Sequence, residues 1–484
     1  MELLFETQLA ITQVAGRLNF FQSKPEVLPE PVLMPGMDAP EELIQAGTVL
    51  RDGGRFRLWY AAFPPGPGIK RKSWLAYAES DNGLDWKRHR LDLVRSVDYP
   101  NNYCDGGFPS IFVDPEAPAS HRYRAVGYGR PDWGGADPIG SFSSFYTAHS
   151  PDGLRWELDS PRPRWLSGDT ITSVYHPAQR RGIAAMKFVR RANGMSRRAI
   201  WTADLRNGAW GDPVCALVPD EFDDVAALAR GCRSTDYYYV GLLPAGSGTV
   251  GLLNNFRHTL PLSAAAPEHY AIYGTSDISL VYQARPGDRW LHAPGRRIFL
   301  EAGTRPWCAG WLGCAATVRT DREHLFFLSG QANTHAWHLD PNWQVREEWE
   351  EARREGEQAS GIGVARLPLW RFFGWRSDPE GVLEVELGEI SEPSLLRLNY
   401  AAPRGQVRVQ LFARTTRADL GEMTGRSADA DVVPLTGDAL AEPVRWRQGA
   451  VIAPVQGRRI VARITLRNAA VYAWELRRVS DQGD

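Results

Sequence analysis

A chain of 484 residues is long enough for two or three domains, each able to bury a core of its own. Hydrophobic residues at 43% and charged residues at 23% exclude wholesale disorder and a membrane bundle. With 56 basic against 57 acidic side chains the net charge is −1, so no broad positive field attracts a phosphate backbone and nucleic acid is not an expected partner.

No stretch reaches the roughly 18 consecutive apolar residues of a membrane span, so no membrane partner is expected either. The first residues, Met1 to Glu6, carry Glu2 and Glu6 where a secretory signal would carry Lys or Arg. A cytoplasmic location is therefore expected, with a mature secreted form left open. Five scattered cysteines without a CxxC pair argue for reduced thiols, and neither a disulfide framework nor a zinc ribbon is indicated.

Eighteen Trp, 16 Tyr and 18 Phe beside 46 Gly and 34 Pro suit short strands joined by turns. In chain order, a strand pair is predicted from Gly47 (GTVLRDGGRFRLWYAAF), followed by LAYAESDNGLDW at Leu75–Trp86. A second pair from Pro109 precedes FYTAHSPDGLRW at Phe145–Trp156, which overlays the first copy with a shift of 70 residues. Each copy runs a strand into Ser-x-[Asn/Asp]-Gly-x-x-Trp, where the Gly supplies positive φ for a tight hairpin and the Trp plugs the next strand pair. Looser copies are Ala199–Trp210 and Leu280–Trp290, after strand pairs from Thr172 and Gly231. A fifth pair starts at Cys314. Strand, turn, strand, loop, strand is the content of one four-stranded propeller blade, and five such units fit.

The segment 341–360 is predicted as a short amphipathic helix inserted in the last blade. From Asp378 the strands change to VLEVELGEI, LLRLNYAA, VRVQLFAR, RIVARITLR and VYAWELRR, alternating and without the aromatic blade signature, as in a β-sandwich. The expected division is a propeller over residues 1–376 and a sandwich over 377–484.

A side chain at the start of an innermost blade strand faces the axial funnel, so carboxylates there are candidates for chemistry. These are Asp38, Glu41 and Glu42 before blade 1, Asp105 before blade 2 and Asp169 before blade 3, with Asp223, Asp224 and Glu301 in blades 4 and 5. Glycoside hydrolysis needs two carboxyl groups across the bond, one protonated and one ionised. Asp105 and Asp169 also read as turn caps beside Gly. Tyr103, Arg130, Trp133, Arg305 and Trp307 offer flat apolar faces and planar donors for a sugar, while blade packing competes for each aromatic. His335 and His338 lack a third ligand, so no metal is expected, and without a Walker loop or strand-following GxGxxG no cofactor is implied.

The order GTVLRDGGRFRLWYAA, LAYAESDNGLDW, NNYCDGGFPSIFVDPEAPASHRYRAVG, TAHSPDGLRW and a C-terminal LRLNYAAP…GQVRVQLF…VYAWELR resembles the glycoside-hydrolase-like proteins related to families 32 and 43, over nearly the whole chain. The resemblance implies a five-bladed β-propeller followed by a β-sandwich, and a glycosidase acting on a small carbohydrate or glycoside, such as a terminal furanoside. It implies Asp169 as the acid, Asp105 as the residue that orients substrate or tunes the acid, and a blade 1 carboxylate as nucleophile or base, with Glu42 placed ahead of Asp38 and Glu41. The family 32 signature Trp-Met-Asn-Asp-Pro-Asn-Gly is absent from the first blade, which keeps open a second reading: a propeller that binds a carbohydrate or metabolite without cleaving it, or one turned to another reaction. A homo-oligomer also stays open.

Overall fold

A computed structural model describes residues 2–3, 11–36, 41, 43–63, 73–95, 99–128, 144–166, 168–192, 195–259, 273–335, 360–414, 416 and 419–481. The helix expected over 341–360 lies almost wholly outside them. The chain forms two compact units, one comprising Pro25–Val318 with Leu325–Arg366, the other Met1–Lys24, Arg319–His324 and Leu367–Asp484.

The first unit is a five-bladed β-propeller. Its innermost strands, in chain order, are Leu43–Asp52, Ser110–Val113, Ile171–His176, Ser234–Ala245 and Trp311–Arg319, and each opens an antiparallel sheet of four or five strands. Polar side chains tie each blade to the next around the ring. Thr48 Oγ1 donates to Pro109 O (2.9 Å), Ser110 and Ser173 share a hydroxyl bond (2.8 Å), and Thr170 Oγ1 donates to Tyr238 O (2.8 Å). Ser276 Oγ donates to Leu312 O (2.6 Å), and Ala46 N donates to Ser329 Oγ (2.8 Å), which returns the ring to blade 1.

The repeated Ser-x-[Asn/Asp]-Gly-x-x-Trp forms the same structure twice. Ser80 Oγ accepts from Gly83 N, and Asn82 Oδ1 accepts from Leu84 N and Asp85 N. Ser150 and Asp152 do the same for Gly153, Leu154 and Arg155, and both Gly residues have φ +79°. This is a side-chain-capped loop and not the tight hairpin expected, because the Asx carboxyl or amide oxygen takes over the role of a turn carbonyl. Each loop docks on the blade before its own. Gly153 O accepts from Trp59 Nε1 of blade 1 (2.7 Å), while Gly83 packs against Leu325 of blade 5 and Trp86 meets Phe327 edge-on. The buried apolar clusters accordingly lie between blades, with Trp156 beside Trp59 and Leu75 in one of them.

Closure of the ring comes from the segment ahead of blade 1. Glu26–Val27 pairs with Ser360–Pro368 as the outer strand of blade 5, and Leu28 N and Val32 N donate to Val364 O and Ile362 O. Trp307 locks this seam: its ring fills the space over Gly330 and Gly363, where a Cβ would lie 2.3 and 2.1 Å from it, and its Nε1 donates to Pro29 O (3.1 Å).

The second unit is the β-sandwich, a nine-stranded antiparallel sheet built on the long strands Phe373–Ile390, Ser394–Arg414 and Val455–Arg467, with Ile11–Gln22 paired to the first of them. Leu383, Val385, Leu398, Val409, Ile464 and Trp474 are among its buried core. On the opposite face of Phe373–Ile390, Glu380, Glu384 and Glu386 pair with Arg467, Arg463 and Arg459 at 2.6–2.7 Å.

Among the described residues, no helix is long and apolar enough to cross a membrane. All five cysteines are free thiols, four of them buried, so thiol titration of the denatured, unreduced protein is expected to count five. Trp307→Ala is expected to cost about 3–5 kcal/mol, the range for removing a large buried aromatic, and the shift of its denaturant midpoint against wild type checks this.

Candidate active site at the mouth of the propeller

The innermost strands start at one end of the ring, and blades 3 and 4 gather charged side chains there. Asp169 stands two residues ahead of Ile171–His176 with its side chain 47% exposed. Its carboxylate lies 2.8 Å from Lys187 Nζ, on the neighbouring strand Arg181–Ala192. The loop is held by its backbone, since Lys187 N donates to Thr170 O (3.1 Å) while the Thr170 hydroxyl reaches blade 4. Lys187 itself is buried, and its ammonium sits 3.7 Å from the centre of the Tyr238 ring, a cation–π contact in a desolvated setting. Burial lowers its proton affinity below the ordinary lysine value; Asp169 opposes this and Arg198 adds to it.

Asp236, the third residue of Ser234–Ala245, is buried and faces two arginines and a histidine. His258 Nε2 lies 3.2 Å away, and Arg198 and Arg197 each approach to 3.3 Å. Burial pushes its proton affinity up, but His258 and the two guanidinium groups together hold the carboxyl below the usual carboxylate range. Next to it Tyr238, Phe256, Trp311 and His335 form an aromatic cluster, with Tyr238 and Trp311 edge-on at 5.2 Å and Tyr238 Oη 3.1 Å from His335 Nε2. A shift of register between Tyr237 and Tyr239 makes Tyr238 a bulged residue. Bulges re-aim side chains in this way beside functional sites.

The other sequence candidates take several positions. Asp38, Glu42, Arg130, Trp133 and His338 lie outside the described residues. Glu41 is buried within blade 1, where its carboxylate accepts from Tyr60 Oη (2.9 Å), Arg88 (2.9 Å) and Gly36 N (3.0 Å). Asp105 sits five residues ahead of Ser110, and it is its backbone that is engaged: its N donates to Leu154 O (2.9 Å) and its O accepts from Trp156 N (3.0 Å), leaving the side chain exposed. Asp105 and Asp169 share no bonded partner among the described contacts. Tyr103 is fully buried and stacks on Trp74 at 5.6 Å, so its face is occupied by protein. Arg305 and Trp307 bind Val27 O and Pro29 O at the closing seam. Asp223 completes the capping box of the helix Glu221–Leu228, Asp224 receives the Arg197 fork, and Glu301 pairs with Arg230.

Sequence reasoning thus missed Lys187, Arg198, Asp236 and His258. Asp236 met the criterion applied to the other carboxylates, being at the start of an inner strand, and Lys187 is the single charge in the apolar run GIAAMKFV. Among the described residues no group of His, Cys, Asp and Glu is placed to hold a metal ion.

No family model matches the chain, and no curated protein matches it. Solved structures similar to it include a glycoside hydrolase (TM-score 0.46, 13% identity, covering 70% of this chain and 92% of that one). Another belongs to work on the GH130 family of mannoside phosphorylases, described as containing glycoside hydrolases that target β-1,2 mannosidic linkages in Candida mannan (TM-score 0.41, 15% identity, 71% and 94% covered). A third is an N-acetylgalactosamine deacetylase from F. plautii in complex with blood group B trisaccharide (TM-score 0.44, 14% identity, 72% and 96% covered).

Because Asp236 is a buried carboxylate facing two guanidinium groups and the His258 ring, Asp236→Asn is expected to cost about 3–5 kcal/mol, the range for removing one partner of a buried pair. With the folded-state value depressed below 3.8, the contribution is fully present above about pH 4 and fades as the pH falls through the native value. Denaturant midpoints of both proteins at pH 7 and at pH 3 check it, the gap narrowing at the lower pH.

Proposed function

We propose that the protein is a glycoside-acting enzyme that cleaves a glycosidic bond at the mouth of the propeller, using Asp169 and a blade 1 carboxylate, Glu42 first, as the working pair. The observation that carries this reading is the half-exposed Asp169 carboxylate ahead of an innermost strand, fixed at 2.8 Å by a buried ammonium. Hydrolysis of an acetal needs one carboxyl group to deliver a proton and a second to stabilise or attack the developing cation. The ion pair suits the anionic member of such a pair, so Asp169 takes the part of base or nucleophile and proton delivery falls to blade 1. This reverses the roles that family resemblance implies. A terminal furanoside is the first substrate class to test, and Asp105 is assigned to orienting it.

A panel of chromogenic aryl furanosides and pyranosides tests the reading. Turnover of at least one is expected, with Asp169→Asn, assayed below its own Tm, lowering kcat about 10²–10⁴-fold, the usual worth of a positioned acid or base, and lowering Tm as well because the buried Lys187 ammonium loses its carboxylate. Asp105→Asn is expected to raise KM as well as lower kcat. Wild-type kinetics in the Asp169 variant would move the chemistry elsewhere. If no glycoside is cleaved while sugars still raise Tm, a carbohydrate-binding propeller takes the place of the enzyme.

A further inference from the structure

The basic side chains of this protein are overwhelmingly arginine: of 56, only Lys24, Lys70, Lys72, Lys87 and Lys187 are lysine. Among the described residues the other buried cations are Arg181, Arg197, Arg257 and Arg371, each in an ion pair with Asp. Arginine is the usual choice for such sites, because its fork matches a carboxylate and its charge survives burial. Lys187 breaks that usage at the one buried cation paired with the half-exposed carboxylate of the mouth. Lysine differs from arginine in two respects there: it is a compact point charge, and it can give up its proton when desolvated.

We propose that Lys187 is the positioning residue of the mouth, its ammonium fixing the orientation and charge of the Asp169 carboxylate in a way that arginine does not replace. The inference rests on the function proposed above and names the group on which it depends. The geometry is specific. The Lys187 Nζ lies between the Asp169 carboxylate, 2.8 Å away, and the Tyr238 ring, 3.7 Å away, so the ammonium is held from two sides. The charged and titratable groups that face it come from three elements: Asp169 on the loop ahead of the inner strand of blade 3, Arg198 on Met195–Arg206, and Asp236 and Tyr238 on Ser234–Ala245. Asp236 is already engaged by His258, Arg197 and Arg198, which leaves Asp169 as the carboxylate that Lys187 serves. Burial lowers the amine's proton affinity, so its charge depends on the carboxylate as much as the carboxylate depends on it.

Two measurements test this, one of which needs no substrate. Competitive acetylation with acetic anhydride, read by mass spectrometry of the Lys187 peptide, gives the pH at which the amine becomes reactive. In wild type that midpoint is expected below the ordinary 10.5, and lower still in Asp169→Asn, where the opposing carboxylate is gone. An ordinary midpoint that Asp169→Asn leaves in place would overturn the pairing, whatever the reaction turns out to be. With a cleaved aryl glycoside in hand, Lys187→Met is expected to lower kcat at least 10-fold with little change in KM, and Lys187→Arg is expected not to restore kcat. Full rescue by Lys187→Arg, or wild-type kcat in Lys187→Met, would make Lys187 a structural countercharge only. Folding is controlled by Tm. An amine whose native proton affinity is depressed costs stability at neutral pH and costs less as the pH rises toward 10.5. Lys187→Met is therefore expected to match or exceed wild type at pH 7, with the advantage shrinking by pH 10. If no glycoside is cleaved, the function proposed above fails while the acetylation result still decides whether the pair exists.

Discussion

Everything at the mouth depends on a closure made by residues remote in sequence. A sheet closed on itself has no free edge, but a ring of separate blades stays closed only if its first and last members are fastened. Here the fastening is Glu26–Val27 on the edge of Ser360–Pro368, with Trp307 pressed over two glycines behind it. Gly330 and Gly363 are required by that approach, since a Cβ on either would overlap the indole. The spacing of the inner strands, and so of the groups they carry, is inherited from this seam: the Thr170 hydroxyl meets Tyr238 O, and the Lys187 ammonium meets the Tyr238 ring, only while neighbouring blades hold their places.

The interior of the ring and its mouth are stabilised by different physics. Between blades the buried clusters are apolar, with a few hydrogen bonds such as Thr48 to Pro109 beside them, and the docking loops place Trp156 and Trp86 in the gaps. At blades 3 and 4 the protein instead buries Lys187, Arg197, Asp236 and His258 in one cluster about Asp236. Desolvating charge is unfavourable, and a compensated cluster contributes less to stability than apolar packing of equal volume would. Its value is geometric, because groups paired in this way hold their orientation without reorganising when a charge develops nearby.

Much of the propeller was legible because its signal repeats. Ser-x-[Asn/Asp]-Gly-x-x-Trp recurs at 80 and 150, and both copies close on the same hydrogen bonds. The strands after Asp378 were legible through alternation. What the sequence concealed was which aromatic faces are taken: Tyr103 and Trp307 look like sugar platforms in a linear reading and are buried against Trp74 and the closing seam. A loop aromatic has the same composition whether it fills a seam or awaits a ligand. Asp236 and Lys187 were concealed for the opposite reason, lying within strands whose apolar neighbours gave them the look of ordinary pattern breaks. The criterion of charge at an inner strand's start was applied too early in blade 4, at Asp223, which caps a helix, and at Asp224, which pairs with Arg197.

The row of Glu–Arg pairs along Phe373–Ile390 bears on how that sheet chooses among misalignments. Sliding Val455–Arg467 by one position would turn Ile464 and Ala462 out of the core, so hydrophobicity forbids it. Sliding by two keeps every apolar residue inside, and there only the polar face can object. In the native alignment Glu380 and Glu384 stand opposite Arg467 and Arg463; two positions along, Arg467 would face Val382 and Glu384 would face Thr465. The exposed Glu380–Arg467 pair adds little to equilibrium stability, whereas Glu384 is buried beneath Arg463, and both pairs separate alternatives that the core cannot tell apart. Their range is set by ionic strength, with a Debye length of about 8 Å at 0.15 M and about 3 Å at 1 M. In concentrated salt the finished sheet would lose little, whereas a chain still searching for its alignment would lose its means of telling the correct one from its nearest rival.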